Sequence, residues 1–271
     1  MQPSLSVESL LERDRRVWDG CAKLYEQKIV SGHPDVLAYQ ALEEDFLDRL
    51  LIYLARDCGR DLLLFDVGCG SGRLHVRYGL MTAREDQLQA PVFLPPGVCP
   101  EPVLAERLKQ IDGLDFSLEM LEIAKAKARS FGLDAQIGEK LNYLQGSAFD
   151  LSPFPEGLLP VAVSVCNSVG VMQGRAGAEK LFAAMARSVS EAGGIALISG
   201  YRKDAIRTHA LGNYESTMEV SGQPKWLKPV RWTSGEYILS PRYFKRAYDS
   251  SLDILVDVFD LAGNLVMPKQ L

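Results

Sequence analysis

The chain has 271 residues, 47% of them apolar and 24% charged, the balance of a globular protein long enough to bury one large core. Its formal net charge of −5 leaves no basic footprint, which argues against nucleic acid as a partner. Five scattered cysteines without a C-x-x-C pair argue against a disulfide frame or a zinc site, and no run approaches the roughly 20 apolar residues of a membrane span. A cytoplasmic protein without a targeting segment is the expectation.

In chain order, residues from about Ser6 to Ala55 read as helical, most clearly where Tyr39, Leu42, Phe46, Leu50 and Tyr53 recur at three- and four-residue steps with acids between them. "DLLLFDVG" is a short, wholly apolar run that ends in glycine, as a buried parallel strand should. "QIDGLDFS" is a second strand, leading into a helix capped by Ser117 with Leu118, Leu121 and Ala124 along one face. "LNYLQG", "PVAVSVCNSVG" and "GGIALISGY" are further strands, and "AEKLFAAMARSV" is a helix with Leu181, Phe182, Met185 and Val189 on one side. Near the end, "LDILVDVFD", "LAGN" and "LVM" form a hairpin.

Strands alternating with helices imply an α/β fold with a doubly wound, mostly parallel sheet. We expect seven strands, with the closing hairpin making one edge antiparallel. Residues 1–60 form a helical cover and 61–271 the main domain, with insertions at 83–109, which is Pro-rich, and at 202–234.

The turn after the first strand, "DVGCGSGR", sets Gly68, Gly70 and Gly72 at alternate positions, with Asp66 two residues earlier. A phosphate-cradling P-loop requires a lysine after its last glycine, and Arg73 stands there instead. A dinucleotide turn requires G-x-G-x-x-G, and the same arginine occupies its third-glycine position. The G-x-G-x-G spacing resembles the first motif of class I S-adenosylmethionine-dependent methyltransferases. That resemblance implies S-adenosylmethionine as cofactor, with Asp66 facing its ammonium and the bare glycine backbone lying against it.

The later strand ends match that family in order. Asp115 stands at the family's ribose-binding acid, with Phe116 and Met120 beside the adenine. Asp115 lies 43 residues beyond Gly72, whereas related folds place this acid about 20 on. The Pro-rich insertion accounts for the excess, and Glu85 and Asp86 are the alternatives. In "QGSAFDL", Gly146 and Ala148 match the family's third motif while Ser147 replaces its usual acid, so adenine recognition falls to Ser147, the backbone at Ala148, or Asp150. Tyr25, with Trp18, is a candidate for covering the cofactor, and Cys166 is assigned to the cofactor side of the following strand.

Neither Asn/Asp-Pro-Pro-Tyr nor Pro-Cys, which a nucleic-acid adenine or cytosine methyltransferase usually carries there, follows the fourth strand. "CNSVG" and "SGYRKD" are instead similar to small-molecule methyltransferases, faintly to the glycine and sarcosine N-methyltransferase group. The resemblance implies that Asn167 hydrogen-bonds the acceptor and that Arg202 pairs with an acceptor carboxylate. A hydroxyl acceptor would need a general base, for which His209 is the best-placed histidine. The expectation is methyl transfer to a small molecule, an amine nitrogen ahead of a hydroxyl, without metal, membrane or nucleic acid. A nicotinamide-dependent oxidoreductase and a non-catalytic S-adenosyl-ligand-binding protein are the alternatives from other classes.

Overall fold

The structure is a computed structural model that describes residues 34–83, 97–154, 156–166, 168–172 and 174–200, scattered positions between 12 and 26, and positions 94, 95 and 262. It also describes the backbone of four C-terminal strands. The chain divides into two compact units, Met1–Gly200 and Tyr201–Leu271.

In the first unit the elements are α1 (Pro34–Asp57), β1 (Asp61–Val67), α2 (Arg73–Thr82), α3 (Pro102–Arg107) and β2 (Leu108–Asp115), followed by α4 (Leu118–Ser130) and a 3-10 turn at Asp134–Gln136. Then come β3 (Leu141–Gln145), β4 (Leu158–Ser164), α5 (Ser168–Val171), α6 (Gly174–Ser190) and β5 (Ile195–Ile198). The five strands pair in parallel in the order β3-β2-β1-β4-β5. This is the doubly wound α/β arrangement, with β1 at the centre.

The leucine run of β1 is buried from Leu62 to Val67 because helices cover both faces of the sheet. Leu62 and Leu64 point into a cluster with Leu47 and Leu51 of α1, Leu74 and Tyr78 of α2, and Leu104 of α3. Phe65 and Val67 point the other way, onto Leu181, Met185 and Val189 of α6. The end of the Pro-rich stretch is thus structured: Pro102 opens α3, Glu101 caps it, and Leu104 is fully buried.

Three helix faces differ from their apolar periodicity. In α1 the residues with apolar spacing, Leu42, Phe46 and Tyr53, are 71%, 54% and 61% exposed. The face that packs carries Gln40, Glu43, Leu47, Leu51 and Leu54; Glu43 is buried because Arg73 of α2 meets it, and the half-buried Glu44 and Asp48 beside it pair with Arg73 and Arg77. Leu118, in the first turn of α4, and Phe182, beside the buried Leu181 in α6, are both exposed.

The second unit holds β6 (Trp232–Ser234), β7 (Tyr237–Lys245), β8 (Leu252–Asp260) and β9 (Leu265–Met267), an antiparallel sheet in that order. The expected hairpin is present as β8 and β9. It belongs to this four-stranded sheet, where β8 pairs with β7 on one edge and β9 on the other, and not to the five-stranded parallel one. The parallel sheet therefore holds five strands among the described residues, where seven were expected. Pro241 is accommodated because β6 covers only Tyr237–Leu239, leaving the rest of β7 an outer strand.

Candidate active site

The strand order reverses between β1 and β4, and in open α/β sheets the crevice at the carboxyl ends beside such a reversal receives ligands. The glycine turn fills that position. Gly68, Gly70 and Gly72 have φ of 77°, 51° and 74°, the left-handed region that only glycine enters without penalty. The turn is clamped to β2, since the N–H groups of Gly68 and Cys69 both donate to the Leu114 carbonyl at 2.8 and 3.0 Å. A Cβ at Gly72 would lie 2.7 Å from that of Ala124, so this glycine lets α2 start tight against α4. At Gly70 a Cβ would meet nothing within 4 Å, so this stretch of the turn presents bare backbone.

Two acids flank the turn. Asp66 is 2% exposed, and its Oδ1 has no hydrogen-bond partner. Burial, with Glu43 and Asp115 pushing the same way against Arg73, raises its carboxyl to about 7. An unsatisfied buried oxygen in this position is fitted to a cationic or hydrogen-bonding ligand. Asp115, at the end of β2, accepts from the Gly70 N–H at 2.9 Å through Oδ2 and from the Ser117 N–H at 2.9 Å through Oδ1. Each oxygen retains a second lone pair, so the carboxylate can still receive a diol. Burial raises its pKa while those N–H groups pull it down. The contact with Gly70 joins Asp115 to the turn despite their separation in sequence; Glu85 and Asp86 lie outside the described residues.

The remaining proposed cofactor residues are placed as follows. Phe116 is half-buried and Met120 fully buried, with its N–H held by Ser117 Oγ at 3.2 Å. Ser147 spends its hydroxyl oxygen on the Phe149 N–H at 3.2 Å, in a local turn that its carbonyl closes onto the Asp150 N–H. Ala148 packs onto the cluster under α6. Tyr25 lies edge-on to Trp18, ring centroids 5.0 Å apart, so the two aromatics of the N-terminal segment pair with each other.

Sequence reasoning missed the polar contacts of that segment. Asp19 accepts from Ser117 Oγ at 2.6 Å and from the Glu119 N–H at 3.4 Å, on the first turn of α4. Glu26 takes Ser71 of the glycine turn and Lys127 of α4. Both acids dock beside the Asp115–Gly70 contact.

Cys166, just past β4, has φ 57°, an uncommon conformation for a side-chain-bearing residue that costs about 1–2 kcal/mol. Its N–H donates to Glu43 Oε1 at 2.7 Å, a charge-assisted bond worth about 1.5–3 kcal/mol that offsets the strain. Burial pushes its thiol pKa up. His75 is fully buried against Tyr143, with Nε2 3.2 Å from the Asn142 carbonyl, and burial lowers it to about 4, so it is a neutral packing residue. Asn167, Arg202 and His209 lie outside the described residues.

A doubly wound sheet with an acid-flanked glycine turn at its switch point defines a cofactor-binding α/β domain. Residues 99–198, which run from the end of the Pro-rich stretch through β5, match the family described as "Methyltransferase domain". Residues 99–198 thus correspond to a methyltransferase domain. No curated protein matches the sequence significantly. Among solved structures the chain is similar to an S-adenosylmethionine-dependent methyltransferase from Clostridium acetobutylicum, at 15% identity over 94% of this chain and 79% of that one, with a TM-score of 0.48. It is similar to the CcbJ methyltransferase from Streptomyces caelestis at 11% identity, over 81% and 74% of the two chains, with a TM-score of 0.45. Magnesium protoporphyrin IX methyltransferase from Synechocystis PCC 6803, with bound SAM, gives 14% identity over 88% and 96%, with a TM-score of 0.44. No helix among the described residues is long and apolar enough to cross a membrane.

Proposed function

We propose that the chain transfers a methyl group from S-adenosylmethionine to a small-molecule acceptor, at an amine nitrogen of an amino acid or related metabolite. The observation that carries this reading is a buried, unsatisfied Asp66 oxygen just before a glycine turn whose bare Gly70 backbone donates its N–H to Asp115. S-adenosylmethionine supplies an electrophilic methyl group on a sulfonium sulfur. Asp66 would hold its ammonium, Asp115 its ribose hydroxyls, and Phe116, Met120 and the 146–148 turn its adenine. Tyr25 would lie in the cover over it, and Cys166 on the cofactor side of the β4 tip.

A sulfonium donor needs little chemical activation, so the protein's task is alignment and exclusion of water. An amine acceptor need only arrive unprotonated, without a dedicated base. In support, His75, the histidine next to the glycine turn, is buried and committed to Tyr143 and Asn142. Asn167 would orient the acceptor and Arg202 would pair with its carboxylate.

Calorimetry with S-adenosylhomocysteine, followed by transfer from methyl-labelled donor to panels of amino acids, amines and alcohols, tests the reading. Micromolar binding of the homocysteine product and label in an amine fraction are expected. Retention of NAD in place of S-adenosylhomocysteine, or absence of any binding at millimolar ligand, would overturn it.

A further inference from the structure

The elements around the crevice converge on one side chain that belongs to none of the motifs. Glu43 is 8% exposed on the packed face of α1. Its Oε1 accepts from the Cys166 N–H at 2.7 Å and from the Ser199 hydroxyl, so a single oxygen joins the tips of β4 and β5. Its Oε2 accepts from Arg73 Nη2 at 2.7 Å, at the start of the helix that leaves the glycine turn. Gln40, one turn earlier in α1, donates to Cys166 Sγ at 3.7 Å and offers its carbonyl to Arg73 at 3.3 Å. The Cys166 turn leads directly to Ser168, whose side chain is 3.3 Å from where a Cβ on Gly68 would stand.

We propose that Glu43 is a positioning residue of the methyl-transfer site: its carboxylate holds the left-handed Cys166 turn, the tip of β5 and Arg73 in one register around the crevice. The proposal rests on the cofactor reading given above. A carboxylate is required because the Cys166 N–H, the Ser199 hydroxyl and Arg73 all donate to it, with the Tyr39 phenol of the same helix also against it; a glutamine amide, with one accepting and one donating end, cannot satisfy both sides. Glu43 also belongs to the charged surroundings of Asp66, with Arg73 from α2, Asp115 from β2 and the thiols of Cys69 and Cys166. Neutralising Glu43 removes a negative neighbour of Asp66 and releases Arg73 toward it. Both changes favour the Asp66 carboxylate.

The test compares the full chain with Glu43→Gln and Glu43→Asp by two measurements: S-adenosylhomocysteine affinity against pH, and hydrogen exchange at the Cys166 amide. In the parent protein, affinity should fall as pH drops through the Asp66 transition. Glu43→Gln should displace that fall to lower pH by about half a unit or more and speed Cys166 exchange roughly tenfold. Glu43→Asp, which keeps the charge on a shorter arm, should speed exchange while leaving the pH midpoint near that of the parent. A Glu43→Gln protein with reduced thermal stability but the parent's pH midpoint and Cys166 exchange would overturn the proposal. If the parent itself bound no S-adenosylhomocysteine, the cofactor reading would fall, and unchanged Cys166 exchange in Glu43→Gln would still sink the positioning role.

Discussion

Replacing Asp66 by asparagine should stabilise the ligand-free protein at alkaline pH while impairing cofactor binding. The carboxyl rises from its ordinary 3.8 to about 7 on burial, so between those values the folded chain holds a proton that the unfolded chain has lost. Stability from this group is therefore fully present below the ordinary value and is lost as pH rises through about 7. At about 1.4 kcal/mol per pH unit, the full cost of ionised Asp66 is about 4 kcal/mol. His75 acts in the opposite direction: lowered from 6.5 to about 4, it contributes stability that is present above its ordinary value and lost as pH falls toward the lower one. Over their common window the two slopes nearly cancel. Asp66→Asn removes one of them and should unmask a rise in stability of up to about 1.4 kcal/mol per pH unit between about pH 4.5 and 6. At about pH 8, after allowing about 1–3 kcal/mol for a buried amide without full partners, the variant should be about 1–3 kcal/mol more stable than the parent. Urea unfolding across this range, with the parent profile subtracted to cancel all other groups, measures the difference. A variant less stable than the parent at high pH, or a difference independent of pH, would refute the reasoning.

The other proposed roles have separate signatures. Asp115→Ala should weaken S-adenosylhomocysteine binding by about a hundredfold or more, through loss of a charged acceptor for the ribose and of the anchor for the Gly70 N–H; calorimetry reads it directly. Asp48 accepts from both Arg77 and Tyr78, and Arg77 is 8% exposed in its side chain, so Asp48→Ala leaves a buried cation short of a partner. A loss of about 3–5 kcal/mol in denaturant unfolding is expected, with cofactor affinity near that of the parent. Arg202→Ala should raise the KM of a carboxylate-bearing acceptor about tenfold or more while S-adenosylhomocysteine binding is unchanged; a normal KM would reassign the acceptor's anchor.

What was legible in the sequence was what local chemistry encodes. The β1 run, the glycine turn and the Ser117 cap depend on neighbours a few residues away, and each lies where its residues placed it. The position of Asp115, at a strand end before a capped helix, was legible across a long insertion because that succession is itself a local mark. The packed face of α1 was not legible. Burying Gln40, Glu43 and part of the acidic stripe is favourable only because Arg73 and Arg77, about thirty residues later, arrive with matching i, i+4 spacing. The acids at 43, 44 and 48 opposite two arginines four apart were the one signal that favoured that face over the apolar spacing.

The same reasoning explains the C-terminal hairpin and Cys166. A hairpin's two strands are set by the turn between them, but the sheet it joins is decided by which edges remain open. Here the long partner β7, whose Pro241 argues against a central strand, takes the free edge of β8. At Cys166, nothing in a cysteine calls for a left-handed backbone. The conformation is stable because a carboxylate 123 residues earlier receives its N–H, the same carboxylate that receives Arg73 beside the cofactor turn. The motifs thus name the surfaces that would face the ligand, while the side chain that holds those surfaces in register sits on a helix with no motif. Glu43 is fixed by geometry across three elements, and only the folded chain brings them to one carboxylate.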